Sequence, residues 1–202
     1  TCFIYFYIMR NGEKVKSLFY DICSAANMQS YNSLYTLLCN KLIHFSASIT
    51  GSFHLAEEIV SDVFIIIWQK REQLLNVREP LVYLYACTRN LSLNHLSKRK
   101  SHIDYESLDR DALAIAPNVE DMLVSSEVSQ LIEKAIRELP ARCQLIFRLV
   151  KMDGLSYKQV AELLAISTKT VDAQLAIAIK KLSLAIQLDM STDLIRSYLH
   201  PD

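Results

Sequence analysis

Between Gly154 and Leu182 the chain reads GLSYKQVAELLAISTKTVDAQLAIAIKKL. Seven of these side chains, Thr168, Lys169, Thr170, Asp172, Ala173, Gln174 and Ile177, sit in the first turns of the second of two helical patterns. Their types suit noncovalent readout of a duplex rather than bond making. Ammonium, amide and hydroxyl groups can hydrogen-bond base edges in a major groove, and apolar groups can meet thymine methyls. One helix fits into that groove and presents its amino-terminal residues to the bases.

Placing those residues requires two short helices and a tight turn. Ser156 is set to cap the first helix, with Gln159 three positions on reaching back to the cap amide, so that helix is expected to start near Tyr157. Val160, Leu163 and Leu164 recur at helical spacing as one apolar stripe, while Lys158, Gln159 and Glu162 lie mostly off it. The turn is predicted at Ala165–Ile166–Ser167, with Ile166 plugging the space between the helices and Ser167 capping a second helix from Thr168. Val171, Leu175, Ala178 and Leu182 then form its buried seam. An ordinary pair of packed helices has the same periodicity, so the pattern alone leaves that alternative open.

The segment resembles region 4 of bacterial sigma factors, specifically the extracytoplasmic-function group. The likeness extends upstream through Leu139-Pro140-Ala141-Arg142-Cys143 and Phe147, which look like that family's "LP…R…F" helix ahead of the GLSY turn. Pro140 suits a first helical position because it lacks an amide proton that would be unpaired there, and Gly154 suits the stop. This sequence departs from the family where Asp172, Ala173, Gln174, Ala176 and Ile177 replace side chains that are often basic or polar. An aspartate repels phosphate and an alanine cannot hydrogen-bond a base edge, so duplex binding is expected to be weak or directed to an unusual sequence through thymine methyls, Thr168, Lys169 and Gln174. Ala165 also replaces a frequent turn glycine, at a cost of about 1 kcal/mol if the left-handed backbone is kept.

A second module lies earlier in the chain. Leu55–Gln73 places Leu55, Ile59, Val60, Val63, Phe64, Ile67 and Trp68 on one broad arc, with Glu58, Ser61, Asp62, Ile65, Gln69 and Glu72 opposite. The run resembles the region 2.2 helix that docks the clamp-helix coiled coil of the polymerase largest subunit. By that resemblance Glu58, Ser61, Asp62 and Ile65 are the polymerase contacts, although Ser61-Asp62 stands where the family often has a glutamine-glutamate pair. After a loop over Leu74–Glu79, the helical pattern Pro80–Lys100 resembles regions 2.3 and 2.4, with Leu81, Leu84, Tyr85, Thr88, Leu91 and Leu96 as its packing stripe. The resemblance implies that Arg89, Asn90 and Asn94 contact the minus-ten strand and that the loop Gln73–Arg78 forms part of a pocket for an extruded base. Amides can hydrogen-bond such a base while cations hold phosphates. Lys98, Arg99 and Lys100 belong to the same set, though a basic run at a helix end also complements the helix dipole. Tyr31–Tyr35 with Leu38, Leu42 and Phe45 resembles the first long helix of region 2 and is expected to form core.

Composition agrees with an all-α chain of two helical domains, since 202 residues contain only three glycines and four prolines and show little strand-like alternation. The formal charge is zero but unevenly spread. Residues 1–100 hold 11 Lys/Arg against 7 Asp/Glu, whereas residues 101–126 hold 1 against 6. That acidic stretch lacks an apolar period and reads as a flexible linker between a domain at 1–100, with 1–28 an uncertain leader, and a domain at 127–202. Thr1–Met9 is apolar but too short to cross a bilayer and lacks a positive leader; Met9 is expected to be the natural start, a cover on the first domain being the competing reading. Gln187–Asp202 is expected to add a short helix capped by Ser191, packing through Leu194, Ile195, Tyr198 and Leu199.

Cys2, Cys23, Cys39, Cys87 and Cys143 show no paired spacing and read as reduced, mostly buried thiols of a cytosolic protein. Five scattered histidines form no ligand pattern, and neither a phosphate-cradling loop nor a nucleophile with an assigned base is written in the chain. No enzyme activity, cofactor or metal is therefore expected. The resemblance implies core RNA polymerase, promoter DNA and an anti-sigma factor as partners, a cytoplasmic location and no membrane insertion. On it the chain is an alternative sigma factor that directs polymerase to promoters and helps open them. The alternatives are a stand-alone helix-turn-helix regulator, which would retard its operator without polymerase, and a helical adaptor without DNA affinity. Gln174→Ala is expected to lower minus-thirty-five selectivity while hardly changing polymerase affinity, as read by competition between promoter variants for the reconstituted holoenzyme.

Overall fold

The computed structural model describes residues 2–100 and 134–189, with side chains described over 12–97 and 134–184. All regular elements among these residues are helical: α1 (Cys2–Ala25), α2 (Met28–Thr50), α3 (Phe53–Lys70), a 3-10 turn (Arg71–Leu74), α4 (Pro80–Lys100), a helical stretch over 134–137, α5 (Ala141–Phe147), a π turn (Arg148–Met152), α6 (Tyr157–Leu164) and α7 (Thr168–Asp189). The chain divides into two compact units; Gly12–Lys100 falls in the first and Lys134–Asp189 in the second. The acidic segment 101–126 lies outside the described residues.

In the first unit α2, α3 and α4 pack on one another through stripes spaced for the purpose. Leu34, Leu38, Leu42 and Phe45 of α2 meet Ala56, Ile59, Val60, Val63, Phe64 and Ile67 of α3 and Leu84 and Tyr85 of α4 in a core from which water is almost wholly excluded. Asn27 caps α2 by accepting from the amides of Gln29 (2.9 Å) and Ser30 (3.1 Å), and Ser52 caps α3 through the Leu55 amide. Gly51, at φ +70°, stops α2 in the left-handed region that a glycine occupies without a side-chain clash. Arg71 lies over the Trp68 ring, 5.1 Å from its centroid, and donates to the Trp68 carbonyl at 2.8 Å, which closes α3.

Two features of this unit were not read from the sequence. Residues 12–25, part of the stretch read as an uncertain leader, belong to α1, whose Val15, Phe19, Ile22 and Cys23 are buried. Their spacing of four, three and one is the amphipathic helical period, partly hidden by the apolar run that precedes it. The Phe19 ring stands edge-on to Tyr83 of α4 at 6.3 Å, so α1 is an integral wall rather than a leader. The second feature is a buried hydroxyl pair. Ser92 donates to the Thr88 carbonyl at 2.8 Å, so its 2.8 Å contact with Ser46 is made by the Ser46 proton, and two fully buried hydroxyls are satisfied across the α2–α4 interface.

In the second unit Cys143 and Ile146 of α5, Leu149 of the π turn, Leu155, Val160, Ala161 and Leu163, and Val171, Leu175, Ala178 and Leu182 of α7 form the core. Pro140, expected as the first helical residue, is instead the N-cap, with φ −52° and ψ 139°; the extended ψ puts the start of the helix one position later, at Ala141. The buried Gln144 amide donates to the Ile136 carbonyl at 2.9 Å and ties the preceding turn to α5. Beyond α5 the ladder widens to i→i+5, as in Asp153 N–H to the Arg148 carbonyl at 3.0 Å, and Gly154 at φ +74° ends it. The helix α7 runs to Asp189, so Gln187 continues it rather than opening a new one; the expected tail helix with Ser191, Leu194, Ile195, Tyr198 and Leu199 lies outside the described residues.

Leu34→Ala is expected to cost about 2–5 kcal/mol in urea unfolding, because it empties a fully buried site, whereas Ile65→Ala on the outer face of α3 should stay within about 0.5 kcal/mol. Ala165→Gly is expected to raise the thermal midpoint, by relief of about 1 kcal/mol of left-handed backbone strain at φ 53°, as measured by circular dichroism.

Candidate nucleic-acid and partner interfaces

The helix-turn-helix forms as its sequence specifies. Ser156 and Gln159 make the full capping box, the Ser156 amide donating to Gln159 Oε1 at 2.8 Å and the Gln159 amide to Ser156 Oγ at 3.3 Å. Ala165 ends α6 at φ 53°, ψ 47°, its amide bonded back to α6, so the turn keeps a left-handed residue without a glycine. Ser167 caps α7, with the Thr170 amide donating to its Oγ at 3.0 Å and the two hydroxyls 2.8 Å apart. Val171, Leu175, Ala178 and Leu182 are buried as a continuous seam, which turns Thr168, Lys169, Asp172, Ala173, Ala176 and Ile177 outward. Thr170 and Gln174 are half-buried at the edge of that face, and Gln174 Oε1 accepts from the buried Cys143 thiol at 3.0 Å. That contact, unforeseen from the sequence, ties the amide carbonyl to α5.

The outer face of α3 carries Glu58, Ser61, Asp62 and Ile65, all exposed, and Ile65 keeps 49% of its surface in water. Ser61 Oγ donates to the Glu57 carbonyl at 2.9 Å, and Glu58 pairs with His54 Nδ1 at 3.5 Å along the exposed helix. An aromatic brace keeps this face outward. Tyr31 stands edge-on to Phe64 at 6.0 Å and to Trp68 at 5.2 Å, and Tyr35 meets Phe64 at 4.9 Å. A hydrogen bond with Cys39 and then burial push the Tyr35 phenol up to about 12, so it stays neutral at physiological pH.

On α4, Asn90 and Asn94 are exposed and Arg89 is half-buried; the side chains of Lys98, Arg99 and Lys100 lie outside the described residues. The preceding loop contributes to a pocket of about 210 Å³ lined by Lys16, Phe19, Tyr20 and Cys23 of α1 with Leu74, Leu75, Val77 and Arg78 and Pro80. Lys16 Nζ pairs with Glu79 Oε1 at 3.4 Å and fixes the loop against α1. Lys16, Arg78 and the exposed Tyr20 thus border a largely apolar hollow. Arg89 does not line this pocket; it lies nine residues along α4 from Pro80, about 14 Å at helical rise. The share of α1 in this hollow was not foreseen, although the 15-19-22-23 spacing held the signal.

Of the described cysteines, Cys23 and Cys143 are buried and Cys39 and Cys87 half-buried, and none is in a disulfide. Among the described residues no cluster of His, Cys, Asp and Glu could hold a metal, and no helix is long and apolar enough to cross a membrane.

Comparison with known proteins places both units. Residues 34–102 match the model for Sigma-70 region 2 and residues 129–182 that for Sigma-70, region 4. The ECF RNA polymerase sigma factor SigW of Bacillus subtilis (strain 168) is 23% identical over 158 residues, which are 74% of this chain and 84% of that protein. The ECF RNA polymerase sigma-E factor of Escherichia coli (strain K12) is 23% identical over 127 residues, 58% of this chain and 66% of that one. Among solved structures, the sigma factor RpoE in complex with the anti-sigma factor NepR from Bartonella quintana aligns at a TM-score of 0.49 and 21% identity, covering 80% of this chain and 99% of that one. CnrH in complex with the cytosolic domain of CnrY aligns at a TM-score of 0.46 and 16% identity, covering 88% and 99%. With region 2 and region 4 matched in order along one polypeptide, the chain belongs to the sigma-70 family, in its extracytoplasmic-function group, and is an alternative sigma factor for promoter-specific transcription initiation rather than an enzyme.

Proposed function

We propose that this sigma factor works through three separate surfaces: the outer face of α3 docks core RNA polymerase, α4 with the adjoining loop pocket holds the melted minus-ten strand, and α7 reads minus-thirty-five duplex. The observation that carries this reading is the one-sided burial of α3. Its inner stripe is wholly consumed by the core, while Glu58, Ser61, Asp62 and Ile65 form an exposed outer set, with an isoleucine amid acids and a hydroxyl. An exposed isoleucine among polar groups can serve as an apolar anchor inside a polar rim, and the family resemblance of this helix is what assigns it to polymerase.

For the minus-ten strand, Asn90 and Asn94 supply amides that hydrogen-bond an unstacked base, and Arg89 with Lys98 and Arg99 supplies phosphate contacts. The hollow beside Arg78, Lys16 and Tyr20 receives an extruded base; its volume suits a single ring system and its cations lie at the border where a phosphate would pass. For the upstream element, Thr168, Lys169, Thr170, Asp172, Ala173, Gln174 and Ile177 form the reading face, and exposed Lys180 and Lys181 farther along α7 suit backbone phosphates. The domain limits that go with this reading are 1–100 and 127–202, joined by the acidic linker 101–126, which lets the two readers reach elements set apart along the promoter. The work is done in the cytoplasm, where polymerase and promoter are, and an anti-sigma factor that covers the same surfaces would hold the protein inactive.

Asp62→Arg and Ile65→Asp change only exposed atoms and should each leave the thermal unfolding curve in place. Each is expected to lower retention of the chain on immobilised core polymerase by at least about tenfold, the loss of one central docking contact. Unchanged retention for both would remove the α3 face from the interface.

A further inference from the structure

The face that α7 offers to DNA has an apolar centre, and the two half-buried polar side chains at its edge are each partly engaged within the protein. Gln174 gives its carbonyl oxygen to the Cys143 thiol at 3.0 Å, and Thr170 shares its hydroxyl with the Ser167 cap at 2.8 Å. What stands outward between Asp172 and the lysines is Ala173, Ala176, Ile177 and Ile179, with Ile177 keeping 43% and Ile179 38% of their surface in water. Residues 173, 176 and 177 are three and four apart, so they form one continuous strip one helical turn long. Charged groups flank that strip: Lys169 and Asp172 precede it, and Lys180 and Lys181 follow.

Chemistry limits what such a strip can read. In the major groove thymine alone among the four bases presents an apolar group, its 5-methyl, and small or branched aliphatic side chains are its partners. Guanine requires a donor pair, which alanine and isoleucine lack at the centre of the strip, and adenine requires an amide presenting donor and acceptor together, for which the Gln174 carbonyl would have to turn from Cys143. Asp172 adds selectivity by accepting from a cytosine amino group and repelling a phosphate placed too close. We propose that region 4 of this sigma factor recognises a thymine-centred upstream element by burying thymine methyls against Ala173, Ala176 and Ile177, with Lys180 and Lys181 holding the flanking phosphates. The inference rests on the reading of α7 as the minus-thirty-five reader and specifies which sequence that reader selects.

The test uses holoenzyme assembled from core polymerase and the full chain. An upstream element is first selected from a randomised promoter library, and each of its thymines is then replaced by deoxyuridine, which removes the methyl and keeps every hydrogen-bonding edge. The expected result is enrichment of thymine at the central positions and about fourfold weaker binding for each central replacement, the worth of one buried methyl. Ile177→Ser, an exposed substitution, should bind the thymine and deoxyuridine promoters alike at the position it covers. Enrichment that is indifferent to deoxyuridine, or a selected centre of guanines, overturns the inference alone. A holoenzyme that selects no upstream sequence while still selecting a minus-ten element overturns both the inference and the reading of α7 beneath it.

Discussion

One-sided burial of amphipathic helices is the constraint that decides which residues of this protein are exposed as candidate surfaces. Ile59, Val60, Val63, Phe64 and Ile67 of α3 are removed from water against α2 and α4, and at helical period that burial fixes which residues must face out. Glu58, Ser61, Asp62 and Ile65 are therefore presented together on the opposite side of the helix. The same logic acts on α7, where the seam from Val171 to Leu182 decides the rotation of the helix and hence the identity of its outer face.

Where burial alone is too weak to set geometry, directed bonds take over. The helix α7 is only as well placed as the turn before it, and that turn is built from a capping box at Ser156, a left-handed Ala165 and a serine cap at Ser167. Keeping an alanine in the left-handed region stores strain, so the surrounding contacts must over-determine the turn: Ile166 donates its amide to the Ala161 carbonyl at 3.0 Å, and Val160 and Ala161 anchor α6 in the core. In the first unit the Ser46–Ser92 pair and the Lys16–Glu79 pair play comparable parts, one inside the helical layer and one at its rim. The buried pair is the costlier to disturb, because a lost partner there leaves a hydroxyl with no water to replace it.

Helix positions and inward faces were legible in the sequence to a degree that varied with local contrast. The span Pro80–Lys100 and the start of α7 at Thr168 coincide with the expected ones, since a proline, a capping serine and a clean apolar period mark them. The helix α1 was obscured because its periodic stretch follows an unbroken apolar run, in which no polar face stands out. The end of α3 was placed late, at Gln73, because nothing in the sequence announces that Arg71 folds back on Trp68 and tightens the last turn. Family resemblance supplied what periodicity could not, a proposed partner for each set of outward residues.

By itself the sequence determined an all-helical chain, two matched regions in order, and the choice of buried and exposed residues on α2, α3, α6 and α7, because those depend on spacing along a single helix. Only the tertiary structure decided that α1 joins the loop after α3 to enclose a cation-bordered hollow, and that Cys143 takes the carbonyl of Gln174. Both are contacts between segments far apart in the chain, and no local pattern encodes a meeting that forms only after packing has set the distances.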